Sequence, residues 1–493
     1  MRYEPWTRKQ PLKPIAFITD ANASGMEITD ENGTKRYRTV RGAESRLNRM
    51  NNKTVLYSLV KPKQLILFGG AQNWTVIKYH DRPQRLIYKD VSFHSWSSFG
   101  PDPQDLIPFF DALRELNIGA ASLTTMSKNS WLALISRVYN IIEWGSGPKI
   151  GRAAFLGGRK ESLQPLPAVY SGAQYLDLPA AYLQSMSGPI PMHIAERPEH
   201  GARWCDDGIC QAVVTIPEQS WNPLPFRIGR GQRGIDLEVY AHGKARGIFV
   251  ISELRNAVEN HGVEVELERV WRGYQFKEPF AEWLPWAFEL RKLPGMSGVV
   301  AKQLTTRLWS IFGVNPQGHK KLSIQFEDSK GLRKIVTELS DSRNRNHRAE
   351  SAVFLSAMIT SRVRVRLLEE LIPAGAVHVD TDGGIVPRSA QVPGWAQKKV
   401  MDRVEIRSTQ AYRWQCPNCP TCPDRHPSDP WHYSVSGIPL HDRILPLVFE
   451  HHPENGLLRV RSRAAVAIPA QSLPDAKRWI TEQDIEAVPD ETL

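Results

Sequence analysis

The segment Ala376–Val386, AVHVDTDGGIV, alternates apolar and polar residues and breaks at an Asp-Gly step, which commits it to a β-hairpin. Asp380 and Asp382 straddle Thr381 at the strand end. Carboxylates two residues apart can project to one side and hold a divalent metal. A third carboxylate, Asp177, ends another short apolar strand, and Tyr182 follows five residues later. Three acidic groups converging on one sheet meet the needs of two-metal phosphoryl transfer, in which one ion activates a hydroxyl and the other holds the triphosphate and leaving oxygens. Taken alone, the same Asp-Gly step is more often a solvated turn.

No internal repeat or low-complexity tract marks domain boundaries, so changes of pattern must. Residues 1–145 mix strand-like runs (Thr54–Val60, Gln64–Phe68, Leu86–Tyr88) with helical ones at Pro103–Leu116 and Trp131–Ile142, as an α/β or α+β lobe would. Glycines then cluster at Gly145, Gly147, Gly151, Gly157 and Gly158, marking a joint or a place of close backbone approach. From about Val250 to Val314 the pattern is mostly helical around a strand-like VEVELERVW, which predicts a helical hairpin projecting from a sheet. Ala349–Leu371 reads as a further helix rich in Ala, Leu and Arg.

The 493 residues leave room for about three domains and a core that needs no disulfide or metal to fold. Apolar residues make up 41% and charged ones 23%, which excludes collagenous, coiled-coil and wholly disordered chains. Met1–Pro14 has no apolar core of a signal peptide, and the longest apolar-rich run, Ala352–Thr360, is far below a membrane span. A soluble, cytoplasmic protein is expected. Five cysteines (Cys205, Cys210, Cys416, Cys419, Cys422) are too few and too clustered for a disulfide framework and fit a reducing compartment. The net charge of +11 permits a polyanionic partner without proving one.

Several segments, in order, resemble the family B DNA polymerases, most closely the protein-primed branch of phages and linear plasmids. AFLGGRKE (Ala154–Glu161) is similar to the family's Tyr-x-Gly-Gly-Arg element, with Phe155 in the tyrosine place and Gly157, Gly158 and Arg159 retained. DLPAAYLQSM (Asp177–Met186) resembles motif A and keeps Asp177 and Tyr182, with Ala180 for serine and Leu183 for proline. HVDTDG (His378–Gly383) resembles motif C and keeps Asp380, Thr381 and Asp382. MITSRVRVRLL resembles the helix before it, with Arg364 in the arginine place. In the motif B counterpart, TTRLWSIFG, Ser310, Phe312 and Gly313 are kept, but Thr305 stands where the lysine belongs, leaving Lys302 or Arg291 to meet a triphosphate. The primer-gripping Lys-x-Tyr element appears as Gln410-Ala411-Tyr412.

The resemblance implies an α+β right-hand polymerase: an exonuclease-like lobe at 1–145, palm at 146–245 and 321–440, fingers at 246–320 and a small thumb at 441–493. It implies primer–template DNA and dNTPs as partners, with a terminal protein in the protein-primed branch, and two Mg²⁺ or Mn²⁺ ions held mainly by Asp177 and Asp382 with Asp380 in support. It further implies nucleotide contacts from Tyr182, Arg291, Lys302, Phe312 and Gly313, and DNA contacts from Gly157, Gly158, Arg159, Arg364 and Tyr412. A monomer is expected. Plain alternatives stand beside these roles: a core tyrosine at 182, an ordinary glycine turn at 157–158, and a solvated helix face for Arg362, Arg364 and Arg366.

The first exonuclease motif needs Asp-x-Glu, whereas IAFITDANAS offers Asp20 and Asn22, so a lobe without proofreading is expected. Outside the family pattern, CPNCPTCPDRHPSDPWHY places Cys416, Cys419 and Cys422 at CxxCxxC spacing with His426 and His432 nearby, which fits either a structural Zn²⁺ site or a proline-rich surface loop. Residues between Met186 and Val250 suit either a palm insertion or a surface loop. Two other functions remain in view: a polymerase-like DNA-binding scaffold that has lost synthesis, and a metal-dependent nuclease.

Overall fold

The computed structural model describes residues 2–3, 15–22, 25–30, 33–38, 40–50, 55–58, 74–79, 82–88, 91–95, 104–119, 122–136, 139–140, 142–143, 147–162, 168–195, 197–200, 204–219, 221–230, 236–313, 320–327, 332–339, 352–408, 411–416, 431–435 and 466–467. The chain divides into two compact units. One comprises Met1–Ile141, Ser187–Pro189 and Glu278–Ser351; the other comprises Ile142–Met186, Ile190–Lys277 and Ala352–Leu493. Among the described residues, no helix is long and apolar enough to cross a membrane.

In the first unit, the strand Ile15–Asn22 pairs antiparallel with Gly25–Asp30 and parallel with Val55–Ser58 inside a nine-stranded sheet. The hairpin Lys320–Glu327 and Leu332–Leu339 extends that sheet by pairing with Trp74–Tyr79. Four helices supply much of the core. Phe109, Phe110 and Leu113 from Ile107–Glu115 meet Phe17 and Tyr57 of the sheet and Val300 and Leu304 from Gly295–Phe312. The helix expected at Trp131–Ile142 instead runs Leu123–Leu134. Its start is set by Ser122, whose Oγ accepts from the Thr125 N–H at 3.2 Å, and its end by Ile135, which is already extended at ψ 129°. Trp131 then lies in the last turn, donating its indole N–H to the Pro279 carbonyl at 2.7 Å.

The second unit holds a seven-stranded sheet, antiparallel throughout, in the order Arg159–Ser162, His378–Thr381, Gly383–Pro387, Ala168–Asp177, Ala396–Ser408, Ala411–Gln415, His432–Val435. The stretch between Met186 and Val250 is no surface loop. Its strands Ile190–Ile194, Gly208–Ile216 and Gly243–Val250 join the long strand Glu264–Lys277 in a second sheet. The helix Ile251–His261 packs there through Leu254 and Ala257; the Asp207 carboxylate accepts from the Ser252 N–H at its start, and Gly262, at φ +66°, ends it.

Behind the seven-stranded sheet runs Val353–Arg366, continued as a π-turn over Leu367–Leu371. Phe354, Leu355, Ala357, Met358, Ile359 and Val363 are all buried, as are Ser356, Thr360 and Arg364, so the helix is enclosed on most sides, as a central helix must be. Leu367, Leu368 and Leu371 close against Leu176, Val379 and Val386 of the sheet. The tripartite pattern of sheet, turn and buried helix fixes where the hairpin carboxylates stand.

Candidate active site

One line of paired residues crosses five strands of this sheet: Lys160, Asp380, Gly383, Asp177 and Ala396. Directly paired residues share a face, so Asp380 and Asp177 look out from the same side with Gly383 between them. Gly383 is required there. A Cβ on it would fall 2.5 Å from Tyr175 Oη and 2.7 Å from the Leu176 carbonyl.

The crowding moves the turn. The sequence places it at Asp382-Gly383, but Gly383 is already in its strand, and the bend is made by Thr381 and Asp382. The Asp382 N–H donates to the Asp380 carbonyl at 2.8 Å, with Thr381 at φ +66°, a region that a β-branched residue enters at a cost of about 1–3 kcal/mol. Asp382 in turn accepts the Leu178 N–H on its carbonyl at 2.8 Å, which ties the end of the Asp177 strand to the turn.

Charge is balanced locally. Lys160 Nζ lies 3.2 Å from Asp380 Oδ1, and Lys398 Nζ lies 3.6 Å from Asp177 Oδ2. Burial pushes the Asp380 carboxyl up, but Lys160, His378 and a 3.1 Å hydrogen bond from Thr381 Oγ1 outweigh it and hold the group below its ordinary value. Tyr175 reports that the carboxylates gather around it. Burial, then the charges of Tyr412, Asp380, Asp382 and Asp177, push its phenol well above the usual range. Among the described residues, no three His, Cys, Asp or Glu side chains close around one point.

His378 sits directly beneath this turn with no exposed surface, and neither ring nitrogen has a hydrogen-bond partner among the described residues. Burial lowers it from 6.5 to about 4. The folded protein therefore prefers neutral His378, and its contribution is full above pH 6.5 and is lost as pH falls through about 4. At about 1.36 kcal/mol per tenfold step, that difference is worth about 3 kcal/mol. Urea unfolding followed from pH 7 to 4 is expected to lose stability less steeply in His378→Phe than in the wild type; equal slopes would remove His378 from the account.

The Gly157-Gly158 loop abuts the same turn. A Cβ on Gly158 would lie 2.7 Å from Thr381 Cγ2 and 2.9 Å from its Cα, whereas Gly157 faces open space. Arg159 and Arg364, expected at DNA, are enclosed, at 1% and 2% exposure. Arg159 bonds Glu161 and stacks on Tyr240 at 4.2 Å. Arg364 pairs bidentately with Glu253 at 2.7 and 2.6 Å and donates to the carbonyls of Leu156 and Gly157 at 3.0 and 2.8 Å. The Arg364 guanidinium thus braces the loop, while that of Arg159 is held by Glu161 and Tyr240. Tyr182 is buried on the short helix Ala181–Ser185, which Arg362 and Arg366 fasten to the central helix through the Ser185 carbonyl and Gln184 Oε1. Tyr412 is buried too, its ring 5.5 Å from His378 and stacked on Tyr175 at 6.3 Å.

The remaining expected residues belong to the first unit. Lys302 is exposed on Gly295–Phe312, and Arg291 caps the C-terminal end of Trp283–Leu290. Phe312 is enclosed by Trp131 and Phe280, at 5.6 and 5.9 Å, and Gly313 ends its helix. Thr305 has no exposed surface and bonds the Ala301 carbonyl at 2.8 Å. A lysine there would enter the core beside Ala301 and Leu304, so Thr305→Lys is expected to cost about 3 kcal/mol or more and to lower the melting temperature without raising nucleotide affinity. A stable variant with tighter nucleotide binding would refute this.

Cys416 Sγ stands 3.1 Å from His432 Nε2. Cys419, Cys422, His426 and Gln410 lie outside the described residues, as do the Asp20 and Asn22 side chains and nearly all of 441–493. Sequence reasoning passed over Lys160, Tyr175, Lys398 and Lys399. Only Lys160 carried a signal, as the residue after the Gly-Gly-Arg element.

By sequence, no family profile matches the chain and no curated protein does. By structure, it is similar to phi29 DNA polymerase in several solved states. The complex with primer-template DNA and incoming nucleotide substrates superposes with a TM-score of 0.64 at 12% identity, covering 90% of this chain and 95% of that one. The post-translocation binary complex with primer-template DNA gives 0.60 at 12% identity over the same shares, and the complex with single-stranded DNA gives 0.57 at 12%. The carboxylate line, the glycine loop and the central helix therefore stand on a mixed helix and sheet fold of the phi29 DNA polymerase type.

Proposed function

We propose that this chain is a DNA-directed DNA polymerase that adds dNTPs to a primer 3′-hydroxyl or to the hydroxyl of a priming protein. The observation that carries the reading is the line Asp380, Gly383, Asp177 with Asp382 at its turn, on a fold shared with phi29 DNA polymerase. The donor set fits Mg²⁺ or Mn²⁺: hard carboxylate oxygens, gathered about Tyr175 and facing one another over a position without a side chain. Asp177 and Asp382 would be the principal ligands and Asp380 the supporting one. Such ions, when bound, polarise the attacking hydroxyl and the triphosphate oxygens.

The chain's own residues do the rest. Lys160 keeps Asp380 ionised, Gly158 leaves room for the Thr381 turn, and Tyr182 supports the sugar of the incoming nucleotide. By the family resemblance, Lys302, Arg291, Phe312 and Gly313 would be the nucleotide contacts. Primer–template DNA is the partner, with a terminal protein where synthesis starts from protein, in the cytoplasm of the host. Cys416, Cys419, Cys422 and His426 would be the residues to hold a structural Zn²⁺, if the Cys-rich segment takes one.

The test is extension of a labelled primer on a DNA template with dNTPs and Mg²⁺ or Mn²⁺. Template-directed products that vanish with chelator support the reading; tight DNA binding without extension would favour the scaffold, and shortening of the DNA a nuclease. Proofreading is expected to be absent, since Asn22 supplies no second anionic ligand beside Asp20. Metal-dependent 3′ trimming of a single strand that disappears in Asp20→Ala would contradict that.

A further inference from the structure

Asp380 and Asp177 each stand against an ammonium, and the two lysines reach them by different routes. Lys160 is placed by register: the strand Arg159–Ser162 pairs it directly with Asp380, so the two side chains leave the same face. Lys398 is placed by a bulge. Tyr175 pairs with Lys399, Leu176 with Gln397 and Asp177 with Ala396, so Lys398 is the extra residue of the strand Ala396–Ser408, and bulges re-aim side chains. Lys160 Nζ lies 3.2 Å from Asp380 Oδ1, and Lys398 Nζ lies 3.6 Å from Asp177 Oδ2.

The two pairs differ in strength. The Lys160 side chain is 24% exposed and that of Asp380 17%, and Thr381 Oγ1 donates to the same Oδ1 at 3.1 Å, so that oxygen already answers to two donors. The Lys398 side chain is 49% exposed, and a pair this open is weakened by water and salt. The carboxylates are positioned by backbone: strand pairing fixes Asp177 against Gly383, and the Asp382 N–H to Asp380 carbonyl bond fixes the turn. What the ammonium groups add is charge. A carboxylate that faces an ammonium attracts a divalent cation less than one that does not, because the two cations repel each other and compete for the same oxygens.

Resting on the polymerase reading, we infer that Lys160, and more weakly Lys398, are built-in counter-ions of the carboxylate line that hold down its affinity for a divalent ion. The sign of the effect separates this role from a structural one. Removing a lysine that only positioned Asp380 would loosen metal binding, whereas removing a counter-ion tightens it.

Mn²⁺ is the probe. Its binding to the full chain, without DNA or nucleotide, is followed by the loss of the free-ion electron paramagnetic resonance signal at about pH 8, far enough above the carboxylate range that protons do not compete. Wild type, Lys160→Met, Lys160→Gln, Lys160→Arg, Lys398→Met and Lys160→Met/Asp380→Asn are compared, with melting temperatures alongside. Lys160→Met and Lys160→Gln are expected to bind Mn²⁺ about tenfold more tightly than the wild type. Lys398→Met should gain only about threefold, and that gain should shrink with added salt. Lys160→Arg keeps the charge and with it the wild-type affinity. Adding Asp380→Asn to Lys160→Met should abolish the gain, which assigns it to this carboxylate. Using two uncharged replacements lets a folding defect confined to one of them be recognised. Unchanged or weaker Mn²⁺ binding in a folded Lys160→Met or Lys160→Gln protein overturns the inference, and so does a gain that survives Asp380→Asn. Primer extension by a wild type whose Mn²⁺ affinity does not respond to Lys160→Met leaves the polymerase reading standing while the counter-ion role falls. Tightened binding in a chain that extends no primer does the reverse.

Discussion

Replacing Asp380 and Asp382 together by asparagine is expected to lower template-directed extension by at least about a thousandfold, which is about 4 kcal/mol of transition-state stabilisation. The substitution keeps the shape of both side chains and removes both charges, so it isolates electrostatics from packing. Asp380 is held below the ordinary carboxylate range and is thus ionised at any working pH, which means the wild type has a full anionic charge to lose there. The turn itself should persist, because its defining bond, Asp382 N–H to the Asp380 carbonyl, is backbone to backbone. The melting temperature is therefore expected to move by only a few degrees. On the polymerase reading, primer–template binding should hold or tighten, since two negative charges leave the surface that would receive phosphates. Comparable extension rates in the two proteins would show that the carboxylate line does not carry the reaction.

Those aspartates were legible because their signal is local: two carboxylates on one strand end and a third after a short apolar run. What surrounds them was not local. Lys160 meets Asp380 only through strand register across more than two hundred residues, and Lys398 reaches Asp177 only because a bulge displaces it. Pattern reading has no access to either. The exact turn was misplaced for a related reason: Asp-Gly is a strong local turn signal, but Tyr175 Oη and the Leu176 carbonyl demand the glycine inside the sheet, and the bend moved onto Thr381. Thr305 was readable in hindsight, lying on the buried side of its helix with Ala301, Leu304 and Leu308. Ser122 likewise announced the helix start that periodicity placed eight residues too late. Of the arginine run, Arg364 fits neither an exposed DNA contact nor a solvated helix face, because it is enclosed, at 2% exposure, against Glu253.

Arg364→Ala is expected to be strongly destabilising, at about 3–5 kcal/mol. Glu253 is 3% exposed, and without its bidentate partner it becomes an uncompensated buried charge. The same change releases the carbonyls of Leu156 and Gly157, which Arg364 holds at 3.0 and 2.8 Å. That loop continues into Gly158, whose backbone touches Thr381, so a fault starting at a buried ion pair ends at the carboxylate turn. Stability and activity can be separated. In Arg364→Met/Glu253→Leu both charges go and apolar surface fills the space, so much of the lost stability should return. Extension should not return, because neither new side chain can donate to the two loop carbonyls. Chemical denaturation measures the first quantity and primer extension the second. If the double variant recovers both, the ion pair is only packing; if it recovers stability alone, Arg364 works by holding the Gly157-Gly158 loop against the turn.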